Sequence, residues 1–400
     1  MDAKNPLSKG RAANGNRFAV KKASYMPVIM LLMVVVCLVA CGSVCIGSES
    51  GSVLLGIILI ALGVALAVFF AVRGLILAKD VKEGEVLLAP RVAPAAFGAK
   101  ADRVWCDENS GMSEGEFAAA SERRAAELAS ARRWFEFVRP SFEAVDLTAS
   151  DGCHLVGHEL LAGAPSRDWL VYAPGLGGTW KSGLCFARRF AQRGFNVLLV
   201  DMRSQGESGG ISVGYGHVER RDLVEWCEWV VSQDADARIV LAGFSMGAAA
   251  VIEASGEPDL PVQVKAILSD SAYADLWNEA IYLLSRGGDG ASFLLRPTLD
   301  LARLALRVGG QGFDLAGASA EEAVGRSSTP TFIVHGDADS AVPLCNAKRL
   351  AEAAACEYEL LEVPGAGHCC ASLADPDAYY GAVFGFLDRV CKESGTPGCA

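Results

Sequence analysis

Arg238-Ile239-Val240-Leu241-Ala242-Gly243-Phe244-Ser245-Met246-Gly247-Ala248-Ala249-Ala250-Val251-Ile252 is the stretch on which the reading of this chain turns. Its first five residues lean apolar and read as a buried strand, and the alanine-rich run after Gly247 reads as a helix. Gly-x-Ser-x-Gly lies between them, with no room for an ordinary loop. A chain passing from strand to helix in so few residues turns sharply at the serine. The flanking glycines lack the Cβ atoms that would collide in such a turn. The hydroxyl of Ser245 is then held proud of the sheet edge, with the backbone amide of Met246 aimed at the same space.

The pattern by itself is weak. With 43 glycines in 400 residues, chance puts such a pair around about one serine in ninety. Four matches occur, at Ser113, Ser208, Ser212 and Ser245. Ser113 reads as a helix N-cap, because Glu116 completes Ser-x-x-Glu. Ser208 and Ser212 lie in a glycine-rich loop with no helix close behind. Ser245 has a strand before it and a helix after it, and context selects it as the nucleophile.

Outward from this turn, residues 141–392 alternate strands with helices. Residues 142–147 and 154–161 suggest a hairpin turned at Ser150-Asp151-Gly152. Strands are expected at 169–173, 196–200, 238–242, 264–269, 331–335 and 357–363. Helices are expected at 182–193, 218–232 and 377–390. Such alternation implies a mostly parallel sheet covered on both faces, an α/β domain.

Pro174-Gly175-Leu176-Gly177-Gly178-Thr179-Trp180-Lys181-Ser182 follows a predicted strand. A Walker A loop requires glycine where Trp180 stands, and the dinucleotide fingerprint fails at the same residue. A loop that only presents an amide to a substrate oxygen has no such requirement. The Leu176 amide would then join that of Met246 as an oxyanion hole. In Asp201-Met202-Arg203-Ser204-Gln205-Gly206-Glu207-Ser208-Gly209-Gly210 the Asp and Arg are read as ties between loops. His217 and Glu219 are read as helix-capping or surface residues.

A serine alcohol needs a base to take its proton. Of five histidines, His154 and His158 sit in the early hairpin, His217 enters a helix, and His335 ends a strand. His368, in Pro364-Gly365-Ala366-Gly367-His368, lies on a loop after the last predicted strand, from which it can reach back to Ser245. The base in turn needs a carboxylate to fix its tautomer. His335-Gly336-Asp337-Ala338-Asp339-Ser340-Ala341-Val342-Pro343 offers Asp337 and Asp339.

Taken together, residues 141–390 resemble the α/β-hydrolase superfamily, and within it bacterial membrane-anchored hydrolases of the serine aminopeptidase-like group. The matching motifs are the Pro-Gly-x-Gly-Gly loop at Pro174, Asp-x-Arg-x-x-Gly-x-Ser-x-Gly from Asp201 and Tyr-Gly-His-x-Glu-x-x-Asp from Tyr215. Gly-Phe-Ser-Met-Gly from Gly243, His-Gly-x-x-Asp-x-x-Val-Pro from His335 and Gly-x-Gly-His ending at His368 complete the set. The order Ser, Asp, His is that of the superfamily. The resemblance makes the fifth residue of His-Gly-x-x-Asp, here Asp339, the acid of a Ser245–Asp339–His368 triad. Many relatives carry histidine where Pro174 stands, a change that leaves the Leu176 amide its role. The resemblance implies a serine hydrolase of esters or thioesters with no cofactor or metal. A peptidase or aminopeptidase of the same fold, or a non-catalytic membrane-tethered binding protein, is the alternative.

The remaining segments lie outside the resemblance. Acidic residues number 47 against 36 basic ones, which argues against a nucleic-acid partner. Residues 1–25 carry six basic residues against one acid and read as a disordered tail. Residues 26–46 and 53–72 are free of charge, and each is long enough, at about 1.5 Å per residue, to cross a hydrocarbon core of about 30 Å. With basic residues outside both ends and Glu49 in the turn, residues 26–78 read as a transmembrane hairpin with both chain ends in the cytoplasm. A rival reading makes Leu38-Val39-Ala40-Cys41 a lipobox with Cys41 lipidated. The thirteen cysteines, with no Cys-x-x-Cys pair, read mostly as free thiols in a reducing compartment. Residues 79–140 read as a connector with an amphipathic helix through Leu128, Ala131, Phe135 and Val138, and residues 393–400 as a tail. The leucine-rich insert at about 273–325 suggests a small helical lid, which favours an acyl or lipid-like substrate.

Overall fold

The computed structural model describes residues 7–10, 26–47, 53–83, 114–285, 292–308 and 314–393. Of the tail expected over residues 393–400, Glu393 ends a helix and the rest lies outside them, as does the proposed cap at Ser113. Two compact units divide the chain: the first takes Met1–Phe18, Leu88–Leu276 and Ala318–Ala400, the second Ala19–Leu87 and Trp277–Gly317.

The first unit is built on one sheet. Its strands are β1 (Leu7–Gly10), β2 (Glu143–Thr148), β3 (His154–Leu160), β4 (Asp168–Ala173), β5 (Asn196–Val200), β6 (Arg238–Phe244), β7 (Val264–Asp270), β8 (Thr331–Gly336) and β9 (Tyr358–Val363). The spatial order is β1-β9-β8-β7-β6-β4-β5-β3-β2. From β5 through β4, β6, β7 and β8 to β9 every pairing is parallel, while β3 joins β5 and β2 joins β3 antiparallel. All five residues of β5 and all six of β8 are buried, as continuous apolar runs demand when helices cover both faces. Strand order reverses at β4 and β5, and the carboxyl ends of parallel strands beside such a reversal are where open sheets place their ligands.

One element corrects the sequence reading. Residues 7–10 were expected in a disordered tail; they form β1, paired antiparallel with β9 from Leu7 opposite Leu361 to Gly10 opposite Tyr358. As the last parallel strand, β9 would otherwise show solvent a row of unpaired amides and carbonyls, which an extended segment satisfies without needing an apolar pattern of its own.

The flanking helices of this unit are α3 (Glu114–Val138), α4 (Leu184–Ala191), α5 (Glu219–Gln233), α6 (Met246–Ser255), α9 (Ala320–Val324), α10 (Cys345–Ala353), α11 (Ala371–Ala374) and α12 (Pro376–Glu393). A 3-10 turn at Trp180–Gly183 replaces the first residues of the helix expected from 182. The amphipathic pattern of α3 packs it onto the sheet domain. Buried Glu127 takes Arg188 Nη2 at 2.6 Å and Arg189 Nη2 at 2.8 Å, and Phe135 meets the ring of Trp180 at 6.0 Å. Every residue of α6 is buried. Its glycine start is obligatory, because a Cβ on Gly247 would stand 2.2 Å from the carbonyl oxygen of Ala173.

The second unit contains α1 (Met26–Gly47), α2 (Val53–Glu83), α8 (Ser292–Val308) and α7 (Leu276–Ser285) from Trp277 onward. α1 and α2 pack closely: a Cβ on Gly42 would lie 2.6 Å from the Gly56 carbonyl oxygen. Leu54, Val64, Val68 and Leu75 of α2 are about half exposed or more, the pattern of a helix whose outer face meets no protein. Among the described residues one helix, Val53–Ile76, is long and apolar enough to cross a membrane, with 24 residues and a mean hydropathy of 3.1. The corresponding stretch of α1 is shorter, Leu31–Val44, so two full spans are not seen. The insert expected as a single lid is divided: α8 packs on α2 in this unit, whereas α9 packs on α6 in the first, its Ala323 against Gly256.

Candidate active site

The turn at Ser245 is as sharp as its motif requires. Ser245 adopts φ 55° and ψ −118°, a conformation that costs a non-glycine residue of order 1–3 kcal/mol and persists only where its surroundings enforce it. Its amide donates to the Asp270 carbonyl on β7 at 2.9 Å, and the first turn of α6 closes through Ala249 to the Ser245 carbonyl at 3.0 Å. Gly175 lies against its Cβ.

His368 stands on the loop after β9 and faces both partners. Its Nε2 lies 2.8 Å from Ser245 Oγ and its Nδ1 lies 2.7 Å from Asp339 Oδ2. Asp339 Oδ1 accepts the amides of Ala341 at 2.9 Å and Val342 at 2.8 Å, so the carboxylate is fixed by the turn that carries it. Of the two acids after β8, Asp337 faces elsewhere: its Oδ1 accepts the Gly365 amide at 2.6 Å and so holds the histidine loop. The loop is pinned again beyond the histidine. Cys369, at φ 56°, donates its amide to Ser271 Oγ at 3.1 Å, and Ser271 donates to Asp270 Oδ1 at 2.9 Å.

The electrostatics follow from burial and pairing. Burial pushes the Asp339 carboxyl up, but the His368 charge and hydrogen bonds from both His335 and His368 outweigh it and hold the group well below the usual carboxylate range. For His368, burial disfavours the imidazolium; Cys369 and the Asp339 carboxylate push the other way and win, leaving it well above an ordinary histidine. Asp339 is the physically dominant partner, because burial raises the Cys369 thiol and keeps it neutral. Burial also pushes Asp270 up to about 6, against hydrogen bonds from Ser271 and Tyr379.

Leu176 lies in the turn closed by the Gly178 amide on the Gly175 carbonyl at 3.0 Å, and Met246 opens α6. Among the described residues, neither amide donates to a protein acceptor. The Leu176 loop is held by its neighbour: the Gly177 amide donates to Gln205 Oε1, and the Trp180 amide donates to Asp201 Oδ1 at 2.6 Å. Arg203 bridges Asp222 and Asp151. Asp201 and Arg203 thus tie loops, as their positions imply, and Gln205 is a tie that no sequence pattern announces.

The other histidines have structural partners. His154 pairs with exposed Asp146 at 2.7 Å, and His217 Nδ1 lies 2.7 Å from Glu253. His158 stacks on Trp180 at 4.0 Å between centroids. His158, Asp201 and Glu207 bring metal-ligand atoms within 4.8 Å of one another. Both Asp201 oxygens already accept amides there, from Trp180 and Glu207, which leaves a poor donor set for a metal.

Comparison with known proteins agrees with this architecture. A model described as "Alpha/beta hydrolase family" matches residues 160–382, more than half of the chain. The uncharacterized protein YfhR of Escherichia coli strain K12 is 25% identical over 242 residues, 57% of this chain and 74% of that one. The uncharacterized protein YqkD of Bacillus subtilis strain 168 is 23% identical over 255 residues, 64% of this chain and 79% of that one. The esterase Pf2001 of Pyrococcus furiosus shares the fold with a TM-score of 0.50 at 20% identity, over 62% of this chain and 92% of its own.

Proposed function

The chain belongs to the alpha/beta hydrolase family, and on that premise we propose that it is a membrane-anchored serine hydrolase cleaving carboxylic esters or thioesters through an acyl-enzyme on Ser245. The observation that carries this reading is the unbroken chain Ser245 Oγ–His368 Nε2, 2.8 Å, and His368 Nδ1–Asp339 Oδ2, 2.7 Å. Nucleophile, base and orienting acid stand at hydrogen-bonding distance of one another.

The steps follow from that geometry. His368 Nε2 takes the hydroxyl proton as Ser245 Oγ bonds to the carbonyl carbon, and the carbonyl electron pair moves onto oxygen. The Leu176 and Met246 amides receive that oxyanion. Asp339 keeps the proton of His368 on Nδ1 and stabilises the imidazolium. His368 then returns its proton to the departing alcohol or thiol, and the acyl group stays on Ser245. Water, deprotonated by the same imidazole, releases the acid and restores the serine. The esterase Pf2001 shares the fold, which by itself does not choose between ester, thioester and peptide bonds.

A fluorophosphonate probe tests the chemistry: a phosphonylated tryptic peptide containing Ser245 is expected, and a folded, unlabelled protein overturns the reading. A screen of short- against long-chain acyl esters, with aminoacyl amides beside them, identifies the bond. The pH profile adds a sign. Protonated His368 cannot act as base, and its pKa lies well above an ordinary histidine. Hydrolysis at subsaturating substrate is therefore expected to fall as pH drops through a limb placed above about 6.5; a limb at or below that value contradicts the His368–Asp339 pairing.

The anchor is α2, with α1 paired to it, and the basic residues outside both ends direct the catalytic domain to the cytoplasm. The span Val53–Ile76 and the exposed apolar faces support it. Alkaline phosphatase fused after Ala400 is expected to be inactive in cells, since it works only outside the cytoplasm. An active fusion reverses the topology.

A further inference from the structure

We propose that His335 is a positioning residue that holds Asp339 in register with His368, so that the acid of this site is served by a second imidazole. The proposal rests on the triad reading above.

His335 is the penultimate residue of β8 and is fully buried. Its Nε2 lies 2.8 Å from the carbonyl oxygen of Val342. A carbonyl only accepts, so Nε2 carries a proton and donates it. Nδ1 is buried with no hydrogen-bond partner among the described residues, so the ring's one polar tie is made through Nε2. The same Nε2 lies 3.3 Å from Asp339 Oδ2, the oxygen that His368 Nδ1 also addresses.

The consequence is a closed clamp. The Val342 peptide is gripped at both ends: its amide donates to Asp339 Oδ1 at 2.8 Å, and its carbonyl accepts from His335. Rotation of the Asp339 carboxylate would break the Val342 amide contact and draw Oδ2 away from the His335 N–H. The charged and titratable groups around the ring are Asp339 on its own turn, His368 behind it, Asp270 on neighbouring β7 and Glu362 opposite on β9. Glu362 is occupied by Lys348 at 3.4 Å, and Asp270 by Ser271 and by Tyr379 of α12. Asp337, two residues along, is taken up by Gly365. Of these, Asp339 alone lies within reach of the His335 N–H.

Two variants separate positioning from mere packing. His335→Leu fills the space without a donor, and His335→Gln returns an N–H near the place of Nε2. In the full-length protein, His335→Leu is expected to lower kcat about ten- to a hundredfold with little change in KM. His335→Gln is expected to restore most of the loss. A folded His335→Leu with wild-type kcat overturns the proposal, and so does a folded His335→Gln as impaired as the leucine variant. If neither variant folds, nitrogen NMR of histidine-labelled wild-type protein decides. An Nε2–H hydrogen-bonded to a backbone carbonyl is expected on one ring; its absence overturns the proposal. Hydrolysis surviving Ser245→Ala would sink the triad reading itself, whereas Ser245-dependent hydrolysis unaffected by His335→Leu would sink only this inference.

Discussion

Ser245→Ala is expected to remove hydrolysis of an activated acyl ester by on the order of 10⁴-fold or more in kcat while leaving the fold in place. Alanine tolerates φ 55° no worse than serine, so the strained turn changes little, and the glycine contacts on either side are kept. What disappears is the oxygen that stands 2.8 Å from His368 Nε2 at the entry to α6. Substrate can still bind and its carbonyl can still meet the amides, so a small residual rate over water remains. Steady-state kinetics beside a thermal melt checks both halves. A folded variant with a wild-type rate would mean that the chemistry lies elsewhere.

Asp339→Asn is the second large effect, expected at about 10³- to 10⁴-fold in kcat, with Asp337→Asn as its control. An asparagine whose amide nitrogen faces His368 cannot accept the Nδ1 proton. The imidazole then takes the other tautomer and presents Nε2–H to Ser245, where it cannot act as base. Asp337 accepts one backbone amide from Gly365, which an asparagine oxygen also accepts, so its replacement is expected to cost little. Equal losses in the two variants would show that the turn as a whole matters and that no single acid is special.

Much of this site was legible because its chemistry imposes local geometry. Gly247 has a Cβ position 2.2 Å from a neighbouring carbonyl, and such a glycine leaves its mark in a motif. The choice between Asp337 and Asp339 was not legible from residue type, since both are acids after one strand. It needed the resemblance, and the hydrogen bonds divide their work between Gly365 and His368. The tie from Gln205 to Gly177 and the Ser271–Cys369 contact were invisible, because they join loops distant in sequence and depend on side-chain direction. Strand β1 was missed for a different reason: edge pairing is made by backbone, and four residues, Leu7–Gly10, need no hydrophobic alternation to provide it. The insert after β7 read as one apolar block, but its burial is shared between two bodies, a division that composition does not record.

The indole of Trp180 lies flat on His158 while its own amide fastens the Leu176 loop to Asp201. Any lifting of this loop when a ligand arrives has to part the two rings, so the environment of this indole is tied to the position of the Leu176 amide.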